Sequence, residues 1–182
     1  MRTEKITATE VVTAGLIASP DLVEPMEVQG RFTCECVRDG KVIWQEEFDN
    51  LVTTVGKNSL LDKFLDLGSA HTAIHMGLKS AGTALAADTM ASHGSWTEPS
   101  IVAARLVPAF SAASAGSKAT SSAVSFSINS GTNTVVAGVF IVMSGTSAVA
   151  NTTGTLYSAG DFASTKTVSS GDTLNVTYTA SA

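Results

Sequence analysis

Asp39-Gly40 lies between two runs of alternating character, RFTCECVR before it and KVIWQEEF after it. Both turn residues tolerate the positive φ angles of a two-residue hairpin loop, so the dipeptide sets a chain reversal and a pairing register. The hairpin covers residues 31–48. With a two-residue loop, Val37 stands opposite Val42 and Cys36 opposite Ile43. Phe32 and the cysteines then take one face and Trp44 the other. A hairpin apolar on both faces should be covered on both, by its own domain or by a neighbour.

The same alternation returns later in the chain. In DTLNVTYT, Leu174, Val176 and Tyr178 alternate with Asn175, Thr177 and Thr179, so one face is apolar and the other carries only amides and hydroxyls. AVSFSIN turns Val124, Phe126 and Ile128 to one side. TVVAGVFIVM has no polar alternation, which predicts a central strand covered on both faces. IVAARLVPAF reads as another strand, ended by Pro108, and GTLYSAGDF as a shorter one; SAASAGSKATSS between them reads as a flexible link. Ser130-Gly131, Ser144-Gly145 and Ser170-Gly171-Asp172 supply the turns.

One helix is predicted, over residues 58–67. Asn58 or Ser59 can cap it, Leu60, Leu61, Phe64 and Leu65 form its apolar stripe, and Gly68 stops it. DNLVTTVG before it reads as a short strand. Residues 69–100 are loop-rich, with an alternating segment at Ile74, Met76 and Leu78. A loop of that length usually has a task or is held by a partner. Residues 1–28 read as an extended arm. Residues 29–182 then make a mainly β domain of β-sandwich or jelly-roll-like type, with strands filling 101–182 and one short helix.

Charge sharpens this picture. Charged residues are 15% of the chain, against about 25% in an average domain. Residues 1–100 hold 8 Lys/Arg and 14 Asp/Glu, whereas 101–182 hold only 3 and 2. No basic stripe exists to neutralise phosphates, so direct nucleic-acid binding is not expected. The longest apolar run, residues 135–143, is about half the roughly 20 residues of a membrane-spanning helix, and no membrane role is expected. The N-terminal residues lack a signal peptide's apolar core, and two cysteines make no disulfide framework, which together predict synthesis in a reducing cytosol.

Catalytic patterns are missing from the sequence. It has no G-x-S-x-G, P-loop, G-x-G-x-x-G or H-E-x-x-H. His71 and His75 are four apart, but their surroundings read as strand or loop and no ligating residue flanks them, so they are taken as ordinary loop histidines and no metal is expected. Cys34 and Cys36 supply at most two of the four ligands of a structural zinc and read as buried thiols. Asp88, His93, Trp96 and Glu98 gather in DTMASHGSWTEPS, yet no serine or cysteine is placed against the histidine, and Trp96 reads as an anchor for the loop. No catalytic residue and no cofactor follow from these patterns.

Three stretches occur in order: NLVTTVGKNSLLDKFL, AADTMASHGSWTE and TLYSAGDFASTKTVSSGDTLNVTYTASA. Together they resemble a group of small structural proteins of tailed bacteriophages, described as virion, head-decoration or tail-associated proteins. The resemblance runs from about Gly30 to the C-terminal residue and leaves the first 28 residues uncovered. It implies a non-enzymatic virion subunit made in the host bacterial cytoplasm. The leading expectation is a capsid decoration (cement) protein, a homotrimer on the capsid surface, whose partners are its own copies and the major capsid protein. Ile6, Val11, Val12, Leu16 and Ile17 of the arm, with Trp44 and Trp96, are the expected contact residues. The alternative is a neck or tail component such as a fibre, spike or tube subunit. A carbohydrate-binding β-sandwich would need an exposed aromatic platform from Trp44, Trp96, Tyr157 or Tyr178.

Overall fold

Asp39 and Gly40 take φ values of 50° and 74°, and the hairpin closes on them as the sequence requires. β1 runs Gln29–Arg38 and β2 runs Lys41–Val52 in a computed structural model that describes residues 27–65 and 70–182. Val37 pairs with Val42, but Cys36 pairs with Trp44, because Ile43 is the extra residue of a bulge. The bulge changes which face Trp44 joins. Paired residues of an antiparallel ladder share a face, so Trp44 falls on the side of Phe32, Cys34 and Cys36. The hairpin is therefore not apolar on both faces: its outer side carries Thr33, Glu35, Gln45 and Glu47, and only Val42 and Ile43 near the tip stay exposed.

β2 is longer than the hairpin requires. The stretch after Asp49-Asn50 continues the same strand, and Asn50, Leu51 and Val52 pair with a different partner, β7 (Thr155–Val168). α1 follows at once, Thr54–Leu65, four residues earlier than the sequence predicts. Its cap is Thr53, whose Oγ1 accepts the Gly56 N–H at 3.1 Å and whose carbonyl accepts Lys57 N–H at 2.9 Å. Gly56 lets the first turn lie against β7, since a Cβ there would run into the Tyr157 carbonyl oxygen. Of the predicted stripe, Leu60 packs on the core while Leu61 and Leu65 face outward.

The remaining strands are β3 (Ile74–Lys79), β4 (Ser117–Ala119), β5 (Val124–Ser127), β6 (Thr134–Met143) and β8 (Thr173–Ser181). All pairings are antiparallel, in the order β3-β6-β7-β2-β1-β8-β4, with β5 beside β4 on the same edge of β8. Among the described residues the fold is mainly β with one helix, as the sequence predicts, and the strands make one continuous curled sheet. β2 is its corner. The sheet closes over a core drawn from β1, β2, β3, β5, β6, β7 and β8, with Phe32, Phe126, Val136, Ile141, Leu174 and Tyr178 among its buried members.

β6 is buried on both faces, as its unbroken apolar run predicts. Val139 and Ile141 enter the main core, and Phe140 and Val142 enter a second cluster with Met90 and Trp96 from the long loop. Three segments depart from the sequence reading. Residues 101–110 form no regular strand; the chain touches β3 through the Met76–Leu106 bridge and bends to bury Arg105. The small-residue tract after it is ordered by a turn at Ala115-Gly116 and by β4, which pairs with the end of β8. β7 is the longest strand rather than a short one, bending where its pairing with β6 skips from Asp161 to Lys166.

Candidate functional site

The long loop after β3 lies over the outer face of β6 and β7, and charged residues fasten it there. Lys79, Gly138 and Asp161 stand in one row across β3, β6 and β7. Because Gly138 has no side chain, Lys79 reaches across the middle strand to Asp161, with Nζ 2.7 Å from Oδ1. The Lys79 side chain is fully buried, and its ammonium also donates to the Gly82 carbonyl. Asp161 Oδ2 accepts the Ala84 N–H at 2.9 Å, so one carboxylate ties the loop to the sheet.

The next row along β3 holds Gly77, opposite Phe140. Glu98 lies over Gly77 and pairs with Arg105, whose side chain is 0% exposed against 3% for Glu98. Arg105 Nη2 lies 2.7 Å from Glu98 Oε2 and 2.6 Å from the Asn151 carbonyl, and Nε lies 3.1 Å from each Glu98 oxygen. Glu98 Oε2 also accepts the Ala150 N–H at 2.7 Å. A buried ion pair is tolerated only when its remaining donors and acceptors are satisfied, and these groups meet that condition. The Arg105 guanidinium lies 5.3 Å from the Phe140 ring centroid, a cation–π contact between the pair and the second core.

Trp96 sits between the two ion pairs. Its Nε1–H donates to Asp88 Oδ2 at 2.8 Å, the His93 ring stacks on it at 4.0 Å, and Phe140 lies 5.4 Å away on the tilt. His93 Nδ1 lies 2.9 Å from the Trp96 carbonyl, which only accepts, so Nδ1 carries a hydrogen and donates it there. Met90, His93, Trp96, Thr97, Arg105 and Asn151 help line a mostly apolar cleft of about 220 Å³. The structure thus gathers Asp88, His93, Trp96 and Glu98 as the sequence spacing suggests. Arg105 and Lys79 complete the cluster, and no sequence signal pointed to either. Asp88 and Glu98 are occupied by an indole and a guanidinium. The arrangement holds loops in place and offers no paired nucleophile and base.

A second constellation was invisible in the sequence. His71 Nε2 lies 2.9 Å from Ser59 Oγ on α1, and Nδ1 lies 2.8 Å from Ser144 Oγ on the turn after β6. Burial and the charge of Lys63 hold the imidazole below its ordinary pKa, favouring the neutral ring. A neutral imidazole has one N–H, so it accepts from one serine and donates to the other. Among the described residues no carboxylate is a hydrogen-bond partner of this ring, and the chain of bonds links helix to turn. His75 is elsewhere, buried on β3, so the two histidines do not converge.

The expected contact residues divide. Ile6, Val11, Val12, Leu16 and Ile17 lie outside the described residues. Trp44 is half-buried, edge-on to Phe162 with ring centroids 5.6 Å apart. Trp96 is 2% exposed and faces the chain's own loop and sheet. Tyr157 and Tyr178 are also buried, so the aromatic platform a sugar would stack on is not presented by these side chains. Cys34 and Cys36 are buried free thiols; desolvation pushes Cys34 far up and Cys36 up to about 11, which keeps both protonated and unreactive. No helix among the described residues is long and apolar enough to cross a membrane. Comparison of the chain with family models, curated proteins and solved structures finds no match.

Proposed function

We propose that the protein is a non-enzymatic structural subunit of a tailed-phage virion, a decoration protein that sits on the capsid and clamps adjacent capsomers. The observation that carries this reading is the outer surface of β5 and β8. Ser125, Ser127, Asn175, Thr177 and Thr179 point outward there, every one a hydroxyl or amide and none charged. Covering such a face with a neighbour costs less desolvation than covering Lys or Glu, and short side chains permit close approach. The resemblance of residues from Gly30 onward to small tailed-phage structural proteins points the same way.

The mechanism is added contact area. A subunit that bridges capsomers only in the expanded shell stabilises that shell by mass action, because it binds one state and not the other. The curled sheet supplies rigid bulk. The two buried ion pairs keep its long loop fixed, so binding does not have to order it. The homotrimer and the contact with the major capsid protein belong to this same proposal.

Counting copies in purified virions tests it. A decoration role requires on the order of hundreds per particle, in step with the shell's symmetry, whereas about a dozen or fewer would place it in the neck or tail. Absence from every particle fraction would end the proposal. Deleting residues 1–26, which leaves β1 whole, should sharply lower occupancy; unchanged incorporation would remove the arm from the mechanism.

A further inference from the structure

We propose that β5 is an acceptor edge, to which residues 5–13 of a neighbouring copy add as a further strand. The inference comes from asking where the backbone groups at each border of the sheet go, since an unpaired edge is a template for another chain. β3 is closed by Leu106, which exchanges both backbone bonds with Met76 at 2.7 and 3.0 Å, and by Thr97, whose carbonyl accepts Ser80 N–H. It also carries the inward charge of Lys79, a common means of blunting an edge. β4 is closed by the turn before it, through Ser111 N–H to the Ala119 carbonyl and the Ser114–Ser117 pair. Where β2 leaves β7, the Glu46 carboxylate accepts the Ala163 N–H at 2.5 Å and pairs with Lys166 at 2.9 Å.

β5 has none of these devices. It pairs with β8 on one side, and among the described residues no backbone partner meets its other side. Val124 and Phe126 point into the core and fix its face, while Ser125 and Ser127 are exposed. The strand contains no charge and no proline.

The occupant is argued from the chain outside the described residues. KITATEVVT, residues 5–13, is rich in β-branched side chains: Ile6, Thr7, Thr9, Val11, Val12 and Thr13. As a strand it would put Ile6, Ala8, Glu10 and Val12 on one side and Lys5, Thr7, Thr9, Val11 and Thr13 on the other. The segment leads into β1, whose first residue, Gln29, pairs with Ser181 of β8. β1 and β5 flank β8 on opposite sides. On its own molecule the segment would have to round β4 and the turn that closes it, a crossing that chains avoid. A neighbour's β5 needs no such detour. Strand addition gives affinity through main-chain bonds and selectivity through the alternating side chains.

This inference rests on the assembly proposed above, and amide hydrogen exchange at residues 124–127 tests it separately. In the full chain, exchange there should slow by about tenfold or more as concentration rises through assembly. Deleting residues 1–13, or introducing the exposed-edge charges Ser125→Lys with Ser127→Lys, should abolish the slowing. A synthetic peptide of residues 4–14 should restore it in the deleted chain. Protection that is indifferent to dilution would mean the segment folds back on its own copy and would overturn the proposal, as would protection unchanged by the deletion. If β5 behaves so while the deletion still lowers virion occupancy, the edge is wrong and the decoration role stands.

Discussion

Arg105 and Glu98 show how much depends on single buried charges. Both side chains are almost wholly buried, so replacing one strands the other. Glu98→Ala is expected to destabilise the domain by about 3–5 kcal/mol, and Glu98→Ala with Arg105→Met by clearly less, because the double change removes both charges. Denaturant titration of the two variants checks the order. Two histidines, His71 and His75, and the Asp172 carboxylate set the response to acid. Burial, with Arg105 nearby, holds the His75 imidazole below its ordinary 6.5, so stability is full above that value and falls as pH drops through the folded one. Asp172 is held below its ordinary 3.8 by the Arg38 guanidinium, at 2.6 Å, so its contribution is present above that value and fades further into acid. Arg38 is 43% exposed, so solvent screening keeps the Asp172 step small. Two losses should appear in the melting temperature, one below about pH 6.5 from the histidines and one further into acid, and His75→Gln should shrink the upper one while His71 supplies the rest.

At the scale of elements, the alternating patterns were legible and the interruptions were not. β1, β5 and β8 sit where their periodicity puts them, since a two-residue repeat fixes which side is buried, and β6 sits where its unbroken apolar run puts it. The bulge at Ile43 left no mark in the sequence, yet it carries Trp44 to the cysteine face. α1 starts at Thr54 because Thr53 caps it from the end of β2. Sequence spacing favoured Asn58 or Ser59, which have equal capping chemistry but lie inside the helix. Gly56 and Gly138 serve close approach between elements, a role the sequence patterns around them do not signal. Gly138→Ala would drive a Cβ into the Gly160 carbonyl and block the path of Lys79 over β6, so a loss of about 2–3 kcal/mol is expected. Gly94→Ala, with nothing within 4 Å, should change stability by less than about 0.5 kcal/mol. Thermal unfolding of the pair separates a packing glycine from a permissive one.

For the molecule as a whole, the core of the described residues draws most of its members from seven strands. Deleting residues 1–26 should therefore leave a cooperative melt within about 3 °C of the full chain, so that any loss of assembly reflects lost contacts rather than lost folding. The sequence by itself determined that this is a mainly β chain with one helix, where most inward faces lie, and that its second half is nearly free of charge. Those properties are local: alternation, turn chemistry and composition are written in adjacent residues. Only the tertiary structure decided that the strands close into one sheet cornered at β2, that Lys79 and Arg105 find their carboxylates, and that β5 has an edge no other described residue pairs with. Each of these depends on residues far apart in the chain meeting in three dimensions, where a pairing register or a buried charge is settled by what else is already there.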